Sequence, residues 1–171
     1  VAEIKALDLV WEPNNKNTHI GFQTAEYINI FREPTTRIRQ LKKIIITEID
    51  KYISEYKDKD CFFINNWPAT RKIRGWSVIL NEQGYQHLHY HIGGWLSGVI
   101  YLAVVPSPEL NEGAIEFTLN GVYYSNPNSE TLLHQPKVGD IILFPSSLHH
   151  RTLPFKSTPE RICIAFDLLP D

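Results

Sequence analysis

Three histidines crowd into the short segment QHLHYHIGG: His87, His89 and His91. A second pair, His149 and His150, lies far downstream in LFPSSLHHRTLPF. Residues two apart on a β-strand share a face, so the first three imidazoles are expected to project from one side of one strand. Imidazoles at i and i+2 can reach one ion, as the His-x-Asp pair does in a facial triad. The third ligand then comes from elsewhere, and strand alternation turns one of His149 and His150 inward. A solvated row of histidines is the plainer alternative, but three in phase with a distant pair favour a metal site. Spacing does not choose the metal, since imidazole suits iron, zinc, copper and nickel.

Arg161 opens the run RICIAFDLL, shortly after His150. A cation buried in a sheet needs a partner, and a planar guanidinium matches a carboxylate at two points. Arg161 can therefore anchor a dicarboxylate that reaches the metal. An edge arginine snorkelling to water, or pairing with Glu160 or Asp167, fits the spacing equally well.

These side chains need a β scaffold to hold them. From Cys61 onward, short runs rich in Val, Ile, Phe and Tyr alternate with Gly, Pro and Asn turns. They predict strands near 61–65, 74–81, 85–91, 96–105, 114–119, 122–125, 131–134, 140–144, 149–153 and 161–168. Many short strands at near-regular spacing indicate a sandwich or barrel. The N-terminal third reads as helical. Thr36 to Tyr56 carries Ile38, Leu41, Ile45, Ile49, Tyr52 and Tyr56 on one face, with Pro34, Thr35 and Thr36 as the start signal. A shorter helix is expected over Thr24 to Phe31. Helices first and strands afterwards place the helices as a buttress on one face of a sheet. The expected organisation is one domain, 1–171, with helical support over 1–60 and a β core over 61–171.

Composition narrows the partners. The net charge of −2 on 171 residues gives no electrostatic reason for nucleic acid or an anionic membrane. The Arg71, Lys72 and Arg74 cluster reads as a solvated loop. No apolar run approaches the roughly 20 residues needed to span a bilayer. Cys61 and Cys163, the two cysteines, both sit in apolar runs and read as buried free thiols. The lack of a cysteine framework predicts a reducing, intracellular (cytoplasmic) setting. The start at Val1 is what one domain of a longer protein would show. Oligomeric state is unreadable from the chain.

In order and spacing, HYHIGGWLSGVIYL, GAIEF, GDIILFPSSLHHRTLPF and ERICIAFDLLP resemble the iron(II)/2-oxoglutarate-dependent oxygenases laid out like prolyl hydroxylases. The likeness covers roughly residues 74–169 and reaches weakly to Trp67-Pro68. It implies a double-stranded β-helix (jelly roll), mainly β, with Fe(II) as metal and 2-oxoglutarate as co-substrate. By position it implies metal ligands at His89, His91 and His150, and an anchor for the far carboxylate at Arg161, assisted by Tyr101. Ser97 falls in the same motif, at the pocket or a turn. Cys163 falls where a serine or threonine commonly helps bind the co-substrate, and a thiol is the weaker donor. His87 and His149 fall outside the ligand positions.

The resemblance has departures. His91 stands where related enzymes place a carboxylate, leaving the centre one unit more positive. Glu116 is a candidate replacement, with a surface position as its plainer reading. Of the aromatics that can wall a substrate pocket, Trp76 reads as core, and period-two alternation favours Tyr85 over Tyr90. The segment Tyr123–Leu133 is either a lid or a surface loop. The implied activity is hydroxylation of a small molecule or peptide with release of succinate and CO2. Two competing readings are a cupin-like three-histidine dioxygenase without 2-oxoglutarate and a non-catalytic jelly-roll binding module.

Overall fold

The computed structural model describes residues 1–32, 34–106, 109, 111–121 and 123–171. In chain order the elements are α1 (Ala2–Lys5), β1 (Leu9–Trp11), β2 (Thr18–Thr24), α2 (Thr36–Tyr56) and α3 (Phe62–Asn65). They continue with β3 (Ile73–His89), β4 (Leu96–Ala103), β5 (Ile115–Thr118), β6 (Thr131–His134), β7 (Ile141–Pro145), β8 (His149–Thr152) and β9 (Arg161–Leu168). The strands form one curled antiparallel sheet in the order β6-β5-β8-β3-β9-β4-β7, with β2 added to β3 and β1 to β2.

The curl comes from β3. Its first half pairs β9 from Ile73↔Leu168 to Leu80↔Arg161. Its second half leaves β9 and pairs β8 at Gln86↔Thr152 and His89↔His150. One sheet is thereby folded over itself, as in a double-stranded β-helix.

β9 lies between β3 and β4 and is buried on both faces, which is why RICIAFDL reads as a nearly continuous apolar run. Ile162, Ile164, Phe166 and Leu168 face an outer core shared with Ile45 and Ile49 of α2. Cys163 faces an inner core with Val78, Val99, Tyr101 and Phe144. The helix α2 begins where expected: the Thr35 side chain accepts a hydrogen bond from the Ile38 amide at 3.3 Å. Its isoleucine stripe packs on the outside of the sheet.

The N-terminal third differs from expectation. Residues 1–60 are not purely helical support, because β1 and β2 extend the sheet there. β2 is hard to read because its buried residues include Thr18, Gln23 and Thr24; a polar interior face breaks the apolar alternation. No helix forms over Thr24 to Phe31. Asn29 competes with it: its side chain accepts from the Phe31 and Gly75 amides, both at 3.1 Å, and donates to the Ile73 carbonyl at 3.3 Å.

The strand expected at 61–65 is instead α3, and Cys61 is exposed, not buried. Phe63 there stacks on Trp95 at 5.7 Å, an anchor that needs no strand pairing. The strands expected at 74–81 and 85–91 are one long strand. Of the strand expected at 122–125, Val122 lies outside the described residues, and a lone Gly121–Tyr124 bridge stands beside it. Among the described residues, no helix is long and apolar enough to cross a membrane.

Candidate metal and diacid site

His89, His91 and His150 converge inside the roll, each offering a nitrogen within 4.8 Å of the other two. A β-bulge brings them together. Between Gln86 and His89, β3 advances three residues while β8 advances two, from Thr152 to His150. The extra residue resets the alternation, so Gln86 and His89 line the same cavities. His87 is left on the far side, against His19 (ring centroids 4.4 Å) and Tyr85 (5.1 Å). The three in-phase histidines expected from period two are therefore two, and His91 reaches the site from just past the strand end. There its amide donates to the Ser146 carbonyl at 2.9 Å. Of the downstream pair, His150 points inward and is buried, while His149 packs against Tyr90 at 4.8 Å.

Each of the three rings has its Nδ1 engaged. His89 Nδ1 lies 2.6 Å from the His87 carbonyl, His150 Nδ1 3.0 Å from the Leu148 carbonyl, and His91 Nδ1 2.6 Å from an Asp167 carboxylate oxygen. Carbonyls and carboxylates accept, so each Nδ1 carries the proton and donates. That tautomer leaves all three Nε2 lone pairs free for an ion.

Burial holds two of the rings neutral. It lowers the pKa of His89 from 6.5 to about 4, and that of His150 from 6.5 to about 3 with help from His89. Below pH ~6.5 the unfolded chain takes up protons that these folded imidazoles refuse. The metal-free protein should accordingly lose stability as pH falls from ~6.5 toward ~4, while above ~6.5 these two groups contribute no slope. Thermal unfolding of the wild type and a His89→Gln/His150→Gln variant across that range checks this. The wild type should fall more steeply, and parallel curves would refute it.

Behind the histidines lies a charged end. On β9, Arg161, Cys163, Ala165 and Asp167 share the inward face. Asp167 stands six positions after Arg161, roughly 20 Å along the strand, which rules out the pairing considered from the sequence. Arg161 is 1% exposed. Its Nε donates to the Gly113 carbonyl at 3.1 Å, and a terminal nitrogen lies 3.7 Å from Cys163 Sγ. Gly113 presents that carbonyl from a positive φ of +67°, a conformation suited to glycine. The guanidinium stands 4.8 Å over the Tyr101 ring. Among the described residues, no carboxylate pairs with Arg161. Among the described residues the buried Tyr101 hydroxyl has no hydrogen-bond partner, and burial raises its pKa. Burial also raises the Cys163 thiol, which keeps it a neutral, weak donor beside the guanidinium.

Two cavities meet at the histidines. The inner one, about 30 Å³, runs from His89, His91 and His150 to Tyr101, Cys163 and Arg161. The outer one, about 370 Å³, opens above His89 and His91 between β2 and the turn after His91. Trp76 lines both and sits 5.4 Å from the His91 ring, so it is a wall of the site and not merely core. Tyr90 lines the outer cavity, whereas Tyr85 stacks on His19 at 5.0 Å, the reverse of the preference expected from alternation; the bulge accounts for Tyr85, which stays in phase with His87. A chain of polar side chains lies along one wall. Thr18 donates to Gln23 (3.1 Å), Gln86 to Thr18 (3.2 Å) and Thr152 to Gln86 (3.4 Å). Glu116 is not the missing carboxylate. It sits opposite Arg151 on the outward face of β5 and holds that guanidinium at 2.7 and 3.1 Å.

Residues 74–167, more than half of the chain, match the model of the family described as "Putative 2OG-Fe(II) oxygenase". The chain belongs to that family. Membership implies Fe(II) and 2-oxoglutarate, and places the protein among the oxidoreductases. The fold agrees. A prolyl-4-hydroxylase of Pseudomonas putida superposes with TM-score 0.65 at 14% identity, over 99% of this chain and 82% of its own. HygX of Streptomyces hygroscopicus, solved with nickel and 2-oxoglutarate bound, gives 0.62 at 13% identity, over 99% and 76%. The α-ketoglutarate-dependent epimerase SnoN from nogalamycin biosynthesis gives 0.65 at 10%, over 99% and 71%. Comparison with curated proteins gives no match.

The donor set of this oxygenase fits what the family implies: three imidazole nitrogens face one point, and behind it lie a guanidinium without a carboxylate and a phenol without a hydrogen bond among the described residues. Sequence reasoning missed Asp167 as a site residue, along with Gln86 and the β2 wall. Asp167 was within reach, because it stands in phase with Arg161 on β9. Ser97 was expected at the pocket or a turn. Its hydroxyl donates to Asp167 at 2.6 Å and lies 2.9 Å from His91 Nδ1 and 2.8 Å from Ser146 Oγ.

Proposed function

We propose that this chain is an Fe(II)/2-oxoglutarate-dependent dioxygenase that hydroxylates a substrate seated in the outer cavity. The observation that carries this reading is the buried Arg161, without a carboxylate partner among the described residues, behind three convergent imidazoles. An unpaired buried cation is costly, and a diacid bridging it to the metal would relieve that cost. His89, His91 and His150 would hold Fe(II) through Nε2. Arg161 would grip the far carboxylate of 2-oxoglutarate at two points, with the Tyr101 hydroxyl donating to it. HygX supports the assignment by analogy, since a protein of the same fold holds a metal and 2-oxoglutarate together.

When bound, the iron supplies oxygen chemistry in which 2-oxoglutarate, O2 and a substrate C–H become succinate, CO2 and an alcohol, one oxygen atom entering each organic product. The protein's own part is placement and exclusion of water. The inner cavity of about 30 Å³ must widen to admit a five-carbon diacid. Trp76 would offer a substrate one apolar wall, and Gln23 and Gln86, held by Thr18 and Thr152, one hydrogen-bonding wall. No charge excess marks it for nucleic acid, so a small polar molecule or a peptide side chain is the substrate class this cavity suits. The reaction is tested by supplying the iron-loaded protein with 2-oxoglutarate and air. Slow succinate release above the metal-free control is expected even without substrate. Iron binding with no succinate would instead favour a cupin-like oxygenase that chelates its substrate directly.

A further inference from the structure

His91 differs from the other two imidazoles in what stands behind it. His89 and His150 rest on backbone carbonyls, whereas His91 rests on the Asp167 carboxylate at 2.6 Å. Asp167 is only 8% exposed. Ser97 donates to the same Asp167 oxygen at 2.6 Å, and the Ser97 hydroxyl lies 2.8 Å from that of Ser146. Gly94 keeps the space open, since a Cβ there would sit 2.5 Å from Ser146 Oγ and 3.0 Å from Asp167 Cγ. Among the described residues, no lysine or arginine pairs with Asp167. Its neighbour in register, Arg74, donates to the Glu26 carbonyl at 3.2 Å. The carboxylate is thus built into the sheet, held by the Ser97 hydroxyl and by one imidazole N–H.

We infer that Asp167 is the carboxylate of this metal centre, displaced from direct coordination to the far side of His91. The inference rests on the proposed ligand set. Three neutral imidazoles leave a divalent ion's charge uncompensated, while two imidazoles and a carboxylate remove one unit. Asp167 restores that unit one hydrogen bond away. It fixes the His91 tautomer and ring plane, and it makes Nε2 a stronger donor. It is a positioning residue, acting on the metal through His91.

The test is anaerobic titration of the protein with Mn(II) and Fe(II) alone. Asp167→Asn keeps the shape and an accepting oxygen and removes the charge; it should weaken metal binding about 10- to 100-fold, the usual effect of losing such a partner. In a His91→Ala background the same change should alter affinity by less than about 2-fold, because coupling through the ring is gone. Wild-type affinity in Asp167→Asn, or an undiminished loss in the His91→Ala background, overturns the inference and leaves the proposed function standing. No metal binding by the wild type overturns both. Should Asp167→Asn not fold, the Co(II)-loaded wild type decides: proton NMR must show an exchangeable His91 Nδ1 proton. Its absence would mean that His91 binds through Nδ1 and that the Asp167 contact is lost.

Discussion

Arg161→Met should cut 2-oxoglutarate affinity by more than a decade without weakening the fold. Arg161 is fully buried, and no described carboxylate compensates it. Its remaining partners are one carbonyl, one thiol and the Tyr101 ring. Replacing a buried charge by an apolar chain of similar volume is often neutral or stabilising, by up to roughly 4 kcal/mol. The metal-free Tm should therefore hold or rise. Removing one member of a buried charge pair costs about 2–5 kcal/mol, so affinity for 2-oxoglutarate should fall roughly 30- to 5,000-fold, at about 1.4 kcal/mol per decade. Calorimetric titration of the Mn(II)-loaded protein measures it. Undiminished affinity would mean that the diacid is anchored elsewhere. Stability and function would then separate at one residue, as expected where a site holds an unfavourable group in readiness for its ligand.

His150→Ala should weaken metal binding so far that the purified protein retains little or no ion. Two imidazoles would remain, on one strand and the turn that follows it, with nothing from β8 to complete the face. Succinate release should drop on the order of 10⁴-fold or more, the scale seen when one member of an interdependent catalytic set is lost. Glu116→Gln is the matched control: its carboxylate faces outward onto a half-exposed Arg151, and a surface pair of that kind contributes at most about 1 kcal/mol. Metal content by elemental analysis reads both variants. Retained metal in His150→Ala would contradict the ligand set, and lost metal in a folded Glu116→Gln would return Glu116 to the site.

What could be read from the chain followed from what lay beneath each residue. The strand β9 was clear because both of its faces are buried, so RICIAFDL is apolar throughout except where Arg161 and Asp167 enter the site. The helix α2 was clear because its Ile38, Leu41, Ile45 and Ile49 stripe meets a flat sheet face. The hairpin β1–β2 was not, because the residues it buries are polar: Gln23 and Thr24 line the outer cavity, and Thr18 bonds Gln23 and Gln86 behind them. Function erased the signal that marks a strand. The bulge between Gln86 and His89 was equally hidden. One extra residue leaves no mark in composition, yet it removes His87 and Tyr85 from the face that carries His89. Asp167 went unassigned for a different reason. It was weighed as a partner for Arg161, and only the extended strand shows that the two stand at opposite ends of one inward face.

The central claim is that metal and diacid meet inside the roll, between the three imidazoles and Arg161. The most direct measurement adds Fe(II) and then 2-oxoglutarate to the metal-free protein without oxygen, and records the visible spectrum. A weak charge-transfer band of a chelated keto acid should appear in the wild type and be missing from Arg161→Met and His150→Ala. Iron demonstrably bound with no band on adding 2-oxoglutarate would contradict the account.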